Sequence, residues 1–342
     1  MRFGLIGYGL WGRHHAAAIV KAPGAELAGI SCLRPASAAA ARKDFPAVPV
    51  HLDYHALLDS PDIDAVAIVV PNDLHGEIGV AALLRGKDVL LEKPMAPTLA
   101  ECDRLLDASR RSGRVLSIGH ELRLSAQWGR VKALIDAGDI GLPLSAVVNL
   151  FRFPYRQGSS GWRYQPDRVG SWILEELVHH FDFLMWYFER WGDPVSVYAA
   201  GASKDRAASM SDTFCALLRF PGSLHAVLTQ SVAGFEYHLA LEIVGTDGAI
   251  RTWWSGATDR TRHPTFELKV KRRGQSEVET LTLAPSGERF ELEEELRQTV
   301  TAFRERRPLV SGEEARKRVA VCLEAERSLR ERREVPLNFG RA

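Results

Sequence analysis

Apolar positions along this chain follow two different rhythms. Up to residue 119, short runs rich in apolar residues fall at residues 3–6, 27–32, 65–70, 88–91 and 115–119, the one over 65–70 being continuous. Runs of that length predict strands of a parallel sheet covered on both faces. Between them, apolar residues recur three or four apart over residues 14–21, 36–44, 54–58, 77–85 and 99–112, which is helical spacing. The breaks carry stop and start signals: Pro23-Gly24, Gly86 and Gly113 close helices, and Thr98 with Glu101 forms a capping box opening one. Strand and helix alternating in this way predict a doubly wound α/β unit.

After a helix over residues 126–137 the rhythm shortens to every second position. Strands are expected at 144–153, 195–202, 213–220, 224–231, 239–244, 249–254, 266–270 and 278–283, with Pro221-Gly222 and Thr246-Asp247-Gly248 as hairpin turns. One long helix, 172–188, interrupts them, and the tail reads as helices over 293–306 and 313–332, the second opened by a Ser311/Glu314 capping box. Runs of strands with segregated helices predict a second, α+β domain on an open, mainly antiparallel sheet.

Composition narrows the partners. With 342 residues, 46% hydrophobic and 25% charged, the chain is long enough for two globular domains. A net charge of +1 with both signs interspersed offers no footprint for nucleic acid or an anionic membrane, and favours small, weakly charged ligands. No apolar run reaches the length of a membrane span. Cys32, Cys102, Cys215 and Cys322 lie far apart without metal-ligand spacing, so they read as reduced packing residues and no metal is expected. Met1-Arg2 leads into the first strand without a leader-like apolar segment, so a cytoplasmic protein is expected.

The first strand runs into Gly7-x-Gly9-x-x-Gly12 and a helix. Gly7 permits the tight turn, Gly9 lets backbone approach a pyrophosphate, and Gly12 lets helix pack on strand. With Leu10 and Trp11 between them, these residues present the helix N-terminus to phosphates and form a dinucleotide site. Residues 1–122 are therefore expected to bind dinucleotide, and 123–342 to bind substrate and self-associate. The place where such folds carry a ribose-binding carboxylate holds Cys32, with Arg34 close by and no acid before Asp44. A guanidinium there suits a 2'-phosphate, which tilts the expectation to NADP over NAD. At the carboxyl edge of the sheet stand Pro71, Asn72 and His75, the latter two touching cofactor or capping the next helix, and then Glu92-Lys93-Pro94. Lys93 follows a buried strand where nicotinamide would lie and suits either proton chemistry or an ion pair with Glu92.

On the long helix, Glu175, His179 and Asp182 share one row and Glu176 and His180 another, with the apolar stripe between them. Spacing alone leaves open which row faces a cofactor, and equally allows a plain amphipathic helix with flanking carboxylate–histidine pairs. Trp162, Arg163 and Tyr164 precede that helix in a polar loop, and Arg123 follows the last strand of the first unit; both arginines are candidates for gripping substrate oxygens or surface residues.

Together these residues resemble the glucose-fructose oxidoreductase, inositol dehydrogenase and rhizopine catabolism (Gfo/Idh/MocA) family. The match runs in order through Gly7, Gly9 and Gly12 with His15, Pro71-Asn72 with His75, Glu92-Lys93-Pro94, Gly119 to Arg123, Trp162-Arg163, and His179-His180-Phe181-Asp182. The resemblance implies a Rossmann domain followed by an open antiparallel sheet, and hydride exchange with a sugar, inositol or polyol hydroxyl. It implies His179 as general base, Lys93 as proton donor or orienting cation, and Glu175 at the position of an Asp in the family pattern. Lys93, Arg123, Trp162, Arg163, Glu175 and His179 would face substrate, in a homodimer or homotetramer. The rivals are an enzyme of this fold that retains its cofactor to cleave a glycoside or invert a centre, and a dinucleotide-binding regulator.

Overall fold

The computed structural model describes residues 1–156, 159–204 and 210–340. The alternating half folds as β1 (Arg2–Ile6), α1 (Leu10–Lys21), β2 (Glu26–Ser31), α2 (Pro35–Asp44), β3 (Val50–His51), α3 (His55–Leu58), β4 (Ala65–Ile68), α4 (His75–Leu84), β5 (Asp88–Glu92), α5 (Leu99–Ser112) and β6 (Leu116–Gly119). Its six strands are parallel in the order β3-β2-β1-β4-β5-β6. The order reverses between β1 and β4, and it is outside the carboxyl edge at such a switch point that open α/β sheets bind their ligands. β3 was not expected; two residues are too short to carry a periodicity.

The second half comprises α6 (Trp128–Asp136), β7 (Pro143–Phe151), α7 (Pro166–Val169), a π-helical turn Ile173–Leu177 running into α8 (Val178–Tyr187), then β8 (Ser196–Ala202), β9 (Thr213–Arg219), β10 (His225–Ser231), β11 (Tyr237–Gly245), β12 (Gly248–Gly256), β13 (Thr265–Arg272), β14 (Glu279–Thr280), α9 (Glu288–Arg304), α10 (Gly312–Glu331) and β15 (Val335–Pro336). Nine strands form a sheet in the order β14-β13-β12-β11-β7-β10-β9-β8-β15. All neighbours are antiparallel except β7 and β10. That parallel pair is possible because the connection between them is long, carrying α7, α8, β8 and β9. The strand expected over 278–283 shrinks to the two residues of β14, where exposed Val278 buries nothing.

Strand alternation turns Ala226, Leu228 and Gln230 of β10 inward and leaves His225 exposed. The inner face packs with Phe181 and Leu184 of α8 and Val319 and Ala325 of α10. α9 follows the second sheet in sequence yet lies on the first. Its Leu292, Leu296, Val300 and Phe303 join Phe3, Leu5 and Ile19, and the rings of Phe303 and Phe3 stack at 6.4 Å. The Ser311/Glu314 capping box forms in full at the start of α10.

Candidate active site

The turn after β1 has the shape its glycines suggest. Gly7 adopts φ +103°, and a Cβ there would meet the Val69 carbonyl oxygen at 2.1 Å. A Cβ on Gly12 would meet the Gly7 carbonyl oxygen at the same distance, so helix and strand touch through backbone. Gly9 occupies the N-cap of α1 and no side chain caps that turn; the N–H of Arg13 is the one that reaches Gly9 O, at 3.1 Å. The N–H groups of Leu10, Trp11 and Gly12 are thus left for an anion, and these residues fit the pyrophosphate of a dinucleotide. Beyond β2, Cys32 is buried, Leu33 is exposed and Arg34 stands at the N-cap of α2. Asp44, the first acid after that strand, accepts a hydrogen bond from Tyr8 Oη at 2.8 Å.

At the carboxyl edge of the sheet, the ends of β4 and β5 are tied by side chains. Among the described residues neither Asn72 nor His75 caps α4 through its side chain. Following Pro71, Asn72 Nδ2 instead donates to Val169 O and to Glu175 Oε2, both at 3.0 Å, reaching into the second half of the chain. The fully buried His75 lies between two carbonyls, Pro94 O at 2.7 Å from Nδ1 and Val70 O at 3.0 Å from Nε2. Glu92 does not take Lys93 as its hydrogen-bond partner. Its Oε1 accepts from Trp11 Nε1 at 2.7 Å and lies 2.6 Å from His15 Nε2. Burial opposes the Glu92 charge, but His15, Lys93 and Trp11 outweigh it and hold the carboxyl below its ordinary range.

Lys93 turns to the second half, donating from Nζ to the Glu175 carbonyl oxygen at 2.7 Å. Four residues on from Glu175 stands His179, which is buried and feels the Lys93 charge. Burial, then Lys93 and the neighbouring His120 and His180, push the His179 pKa well below its ordinary value. The imidazole is therefore neutral at pH 7.

The two rows of the long helix separate. The Glu175 carboxylate meets Asn72 and Arg163, whose Nε donates at 2.7 Å. Burial raises the Glu175 pKa, but Lys93, Arg163 and Asn72 prevail and bring it down to about 2. Glu176 faces the sheet instead, accepting from Arg152 Nη1 at 2.5 Å, Tyr155 Oη at 3.1 Å and Tyr237 Oη at 3.3 Å. Asp182 does not orient His179. It accepts from Arg123 through Nε at 2.7 Å and Nη2 at 2.5 Å and from Arg318 Nε at 2.8 Å. Arg123 gives its remaining Nη1 to Glu314 at 3.0 Å, so it joins helices and is not free to grip a substrate. Trp162 is buried under the Arg163 guanidinium, 4.4 Å from the ring centroid.

Sequence reading passed over His120 as a site residue, although it follows β6 at the same sheet edge. Its ring stands perpendicular to that of His179 with centroids 5.8 Å apart, and its Nδ1 lies 3.7 Å from Asp182 Oδ2. It also passed over Arg152, Tyr155 and Tyr237, which are 24, 21 and 61 residues from their partner Glu176. No local pattern could have joined them.

Comparison with known proteins agrees with this architecture. Residues 1–120 match an oxidoreductase family with an NAD-binding Rossmann fold, and residues 128–251 match the GFO/IDH/MocA C-terminal domain. The 1,5-anhydro-D-fructose reductase of Ensifer adhaerens is 31% identical over 262 residues, 73% of this chain and 74% of that protein. An inositol 2-dehydrogenase of Salmonella typhimurium is 30% identical over 202 residues, which span 58% of this chain and 57% of that relative. The solved structure of a levoglucosan dehydrogenase with NADH and levoglucosan shares the fold at a TM-score of 0.86 and 22% identity, covering 98% of this chain and 99% of that one. The chain belongs to the Gfo/Idh/MocA oxidoreductase family.

Proposed function

We propose that this member of the family moves a hydride between the nicotinamide of NADP or NAD and a hydroxyl-bearing carbon of a sugar, inositol or related polyol. The observation that carries the reading is the contact of Lys93 Nζ with the Glu175 carbonyl at 2.7 Å, which joins the cation at the first sheet's edge to the helix bearing His179. A bound nicotinamide supplies the hydride acceptor or donor. His179, kept neutral by burial, Lys93 and the adjacent imidazoles, takes the proton of the substrate hydroxyl at a ring nitrogen. The Lys93 ammonium has three donors and gives one to Glu175 O, leaving two for the oxygen on which negative charge develops. Glu175, held near pH 2, is a poor proton carrier at neutral pH; its work is to place Lys93 and Arg163.

In this reading residues 1–122 hold the dinucleotide and 123–342 shape the substrate site, with Trp162 and Arg163 on one wall. NADP is the preferred cofactor, supported by a buried thiol at Cys32 where an acid would bind ribose hydroxyls and by Arg34 beginning α2. The outer sheet face carries exposed Val147, Tyr198 and Phe235, which suits a second copy of the chain. No helix among the described residues is long and apolar enough to cross a membrane. The test is the absorbance of reduced nicotinamide with each cofactor across sugars, inositols and sugar acids. Turnover of at least one supports the reading. Bound cofactor without net turnover on any supports a regulator or a cofactor-retaining enzyme. Cys32→Asp should move preference toward NAD; an unmoved preference ends the cofactor assignment.

A further inference from the structure

Two of the buried histidines have polar partners at their rings. His75 lies between two carbonyls and His15 against Glu92. His120 and His180 differ: both ring nitrogens of each are buried and have no hydrogen-bond partner among the described residues, and of the two it is His120 that stands at the sheet edge with its ring against His179. A buried polar atom left in that state is costly unless something else completes it.

The surroundings say which kind of partner is missing. Nδ1 lies nearest Asp182 Oδ2, at 3.7 Å, and an ionised carboxylate only accepts hydrogen bonds. Asp182 is kept ionised by Arg123 and Arg318, so the ring proton is assigned to Nδ1, and Nε2 is left as a bare acceptor. Arg123 and Arg318 also absorb the Asp182 charge, and burial keeps His120 neutral, with its pKa at about 4. The missing group is therefore a neutral donor. The His120 ring packs edge to face on His179, and Lys93 is close enough to act on both rings electrostatically.

We propose that His120 Nε2 accepts a hydrogen bond from a second hydroxyl of the substrate, beside the one that reacts, so that a vicinal diol is the preferred substrate unit. The proposal rests on the reading of the site given above. Two imidazoles in contact can each hold one of two adjacent hydroxyls, since such oxygens lie about a hydrogen-bond length apart. His179 acts on the reacting hydroxyl, and His120 senses whether its neighbour is present. A site built around a hydroxyl rejects an analogue lacking it, because its own polar atom is then left bare.

The experiment compares myo-inositol, levoglucosan and D-glucose with their monodeoxy derivatives, using wild type, His120→Phe and His120→Gln, each saturated with cofactor. Wild type should lose at least about tenfold in kcat/KM on deleting one particular hydroxyl. In His120→Phe the parent should fall to the level of that deoxy compound, with a ratio near one, while cofactor binding is kept. His120→Gln, whose amide oxygen can stand near the Nε2 position, should restore part of the ratio. Calorimetric titration of the same compounds into the cofactor-bound protein should show the same ratios in Kd, a readout independent of turnover. Equal parent-to-deoxy ratios in wild type and His120→Phe overturn the proposal and leave the dehydrogenase reading intact. Failure of wild type on every compound with either cofactor overturns both. If His120→Phe does not fold, His120→Ala takes its place: a ratio near one supports the proposal, and a ratio equal to that of wild type overturns it.

Discussion

Two buried polar clusters stand side by side on the same helix and differ in one respect. At Asp182 the carboxylate is saturated, with three donors from Arg123 and Arg318, and Arg123 continues to Glu314. Next to it, His120, His179 and His180 present ring nitrogens that are as deeply buried yet lack partners among the described residues. Native interiors satisfy almost every buried polar group. The saturated cluster is thus what holds the helices together, and the unsaturated one has hydrogen-bonding capacity that no described residue takes up. Charge alone would have pointed the other way, to Arg123 and Asp182.

The contrast can be broken most sharply on its histidine side. Lys93→Ala and His179→Gln should each lower kcat by about two to four powers of ten while melting and cofactor binding hold. Loss of folding in either would place that residue with the structural cluster instead. The opposite result is expected for Asp182→Ala, which strands two buried guanidinium groups and should cost about 3–5 kcal/mol in urea unfolding. A folded, merely slow Asp182→Ala enzyme would erase the distinction.

Acid should separate the buried imidazoles from the hydrogen-bonded carboxylate of Glu175 by pH. His120 and His180 are lowered from 6.5 to about 4, chiefly by burial, so the unfolded chain binds their protons first. Their share of stability is complete above pH 6.5 and is lost as pH falls toward 4. Glu175 is lowered from 4.5 to about 2, so its share persists to lower pH and fades between those values. Urea midpoints at stepped pH should therefore fall in two stages, the first shrinking when His180 is replaced by Phe. A single stage below pH 4 would contradict the burial of the imidazoles. The smallest effect is a calibration outside both clusters: Ser311→Ala removes the capping box of α10 and should cost about 1 kcal/mol with turnover unchanged.

Much of the fold was legible. Apolar-rich runs marked β1, β2, β4, β5 and β6, because strands buried on both faces need apolar residues at most positions. The glycines of the first turn were legible because a Cβ at Gly7 or Gly12 would occupy backbone space. Other features were not. The parallel pairing of β7 with β10 depends on where a long connection lands, and the return of α9 to the first sheet depends on an apolar face that could equally have served the second. In the site, Lys93 and His179 were visible as unusual residues at an edge and on a helix. The partition of Glu175 from Glu176 was not: they are neighbours in sequence and meet different partners, Asn72 of the first half and Arg163 for Glu175, and Arg152, Tyr155 and Tyr237 for Glu176.

Local pattern by itself determined most of the strand and helix order and the glycine-rich turn, since each depends on residues within a few positions of one another, and the order of several such motifs along the chain determined the family. Tertiary structure alone decided that Arg123 braces helices, that Asp182 is saturated and that His120 lies buried and unpartnered beside His179. The physical reason is that hydrogen-bond saturation is a property of what packs around a group. For these residues the partners come from 59, 136 or 191 positions away in the chain.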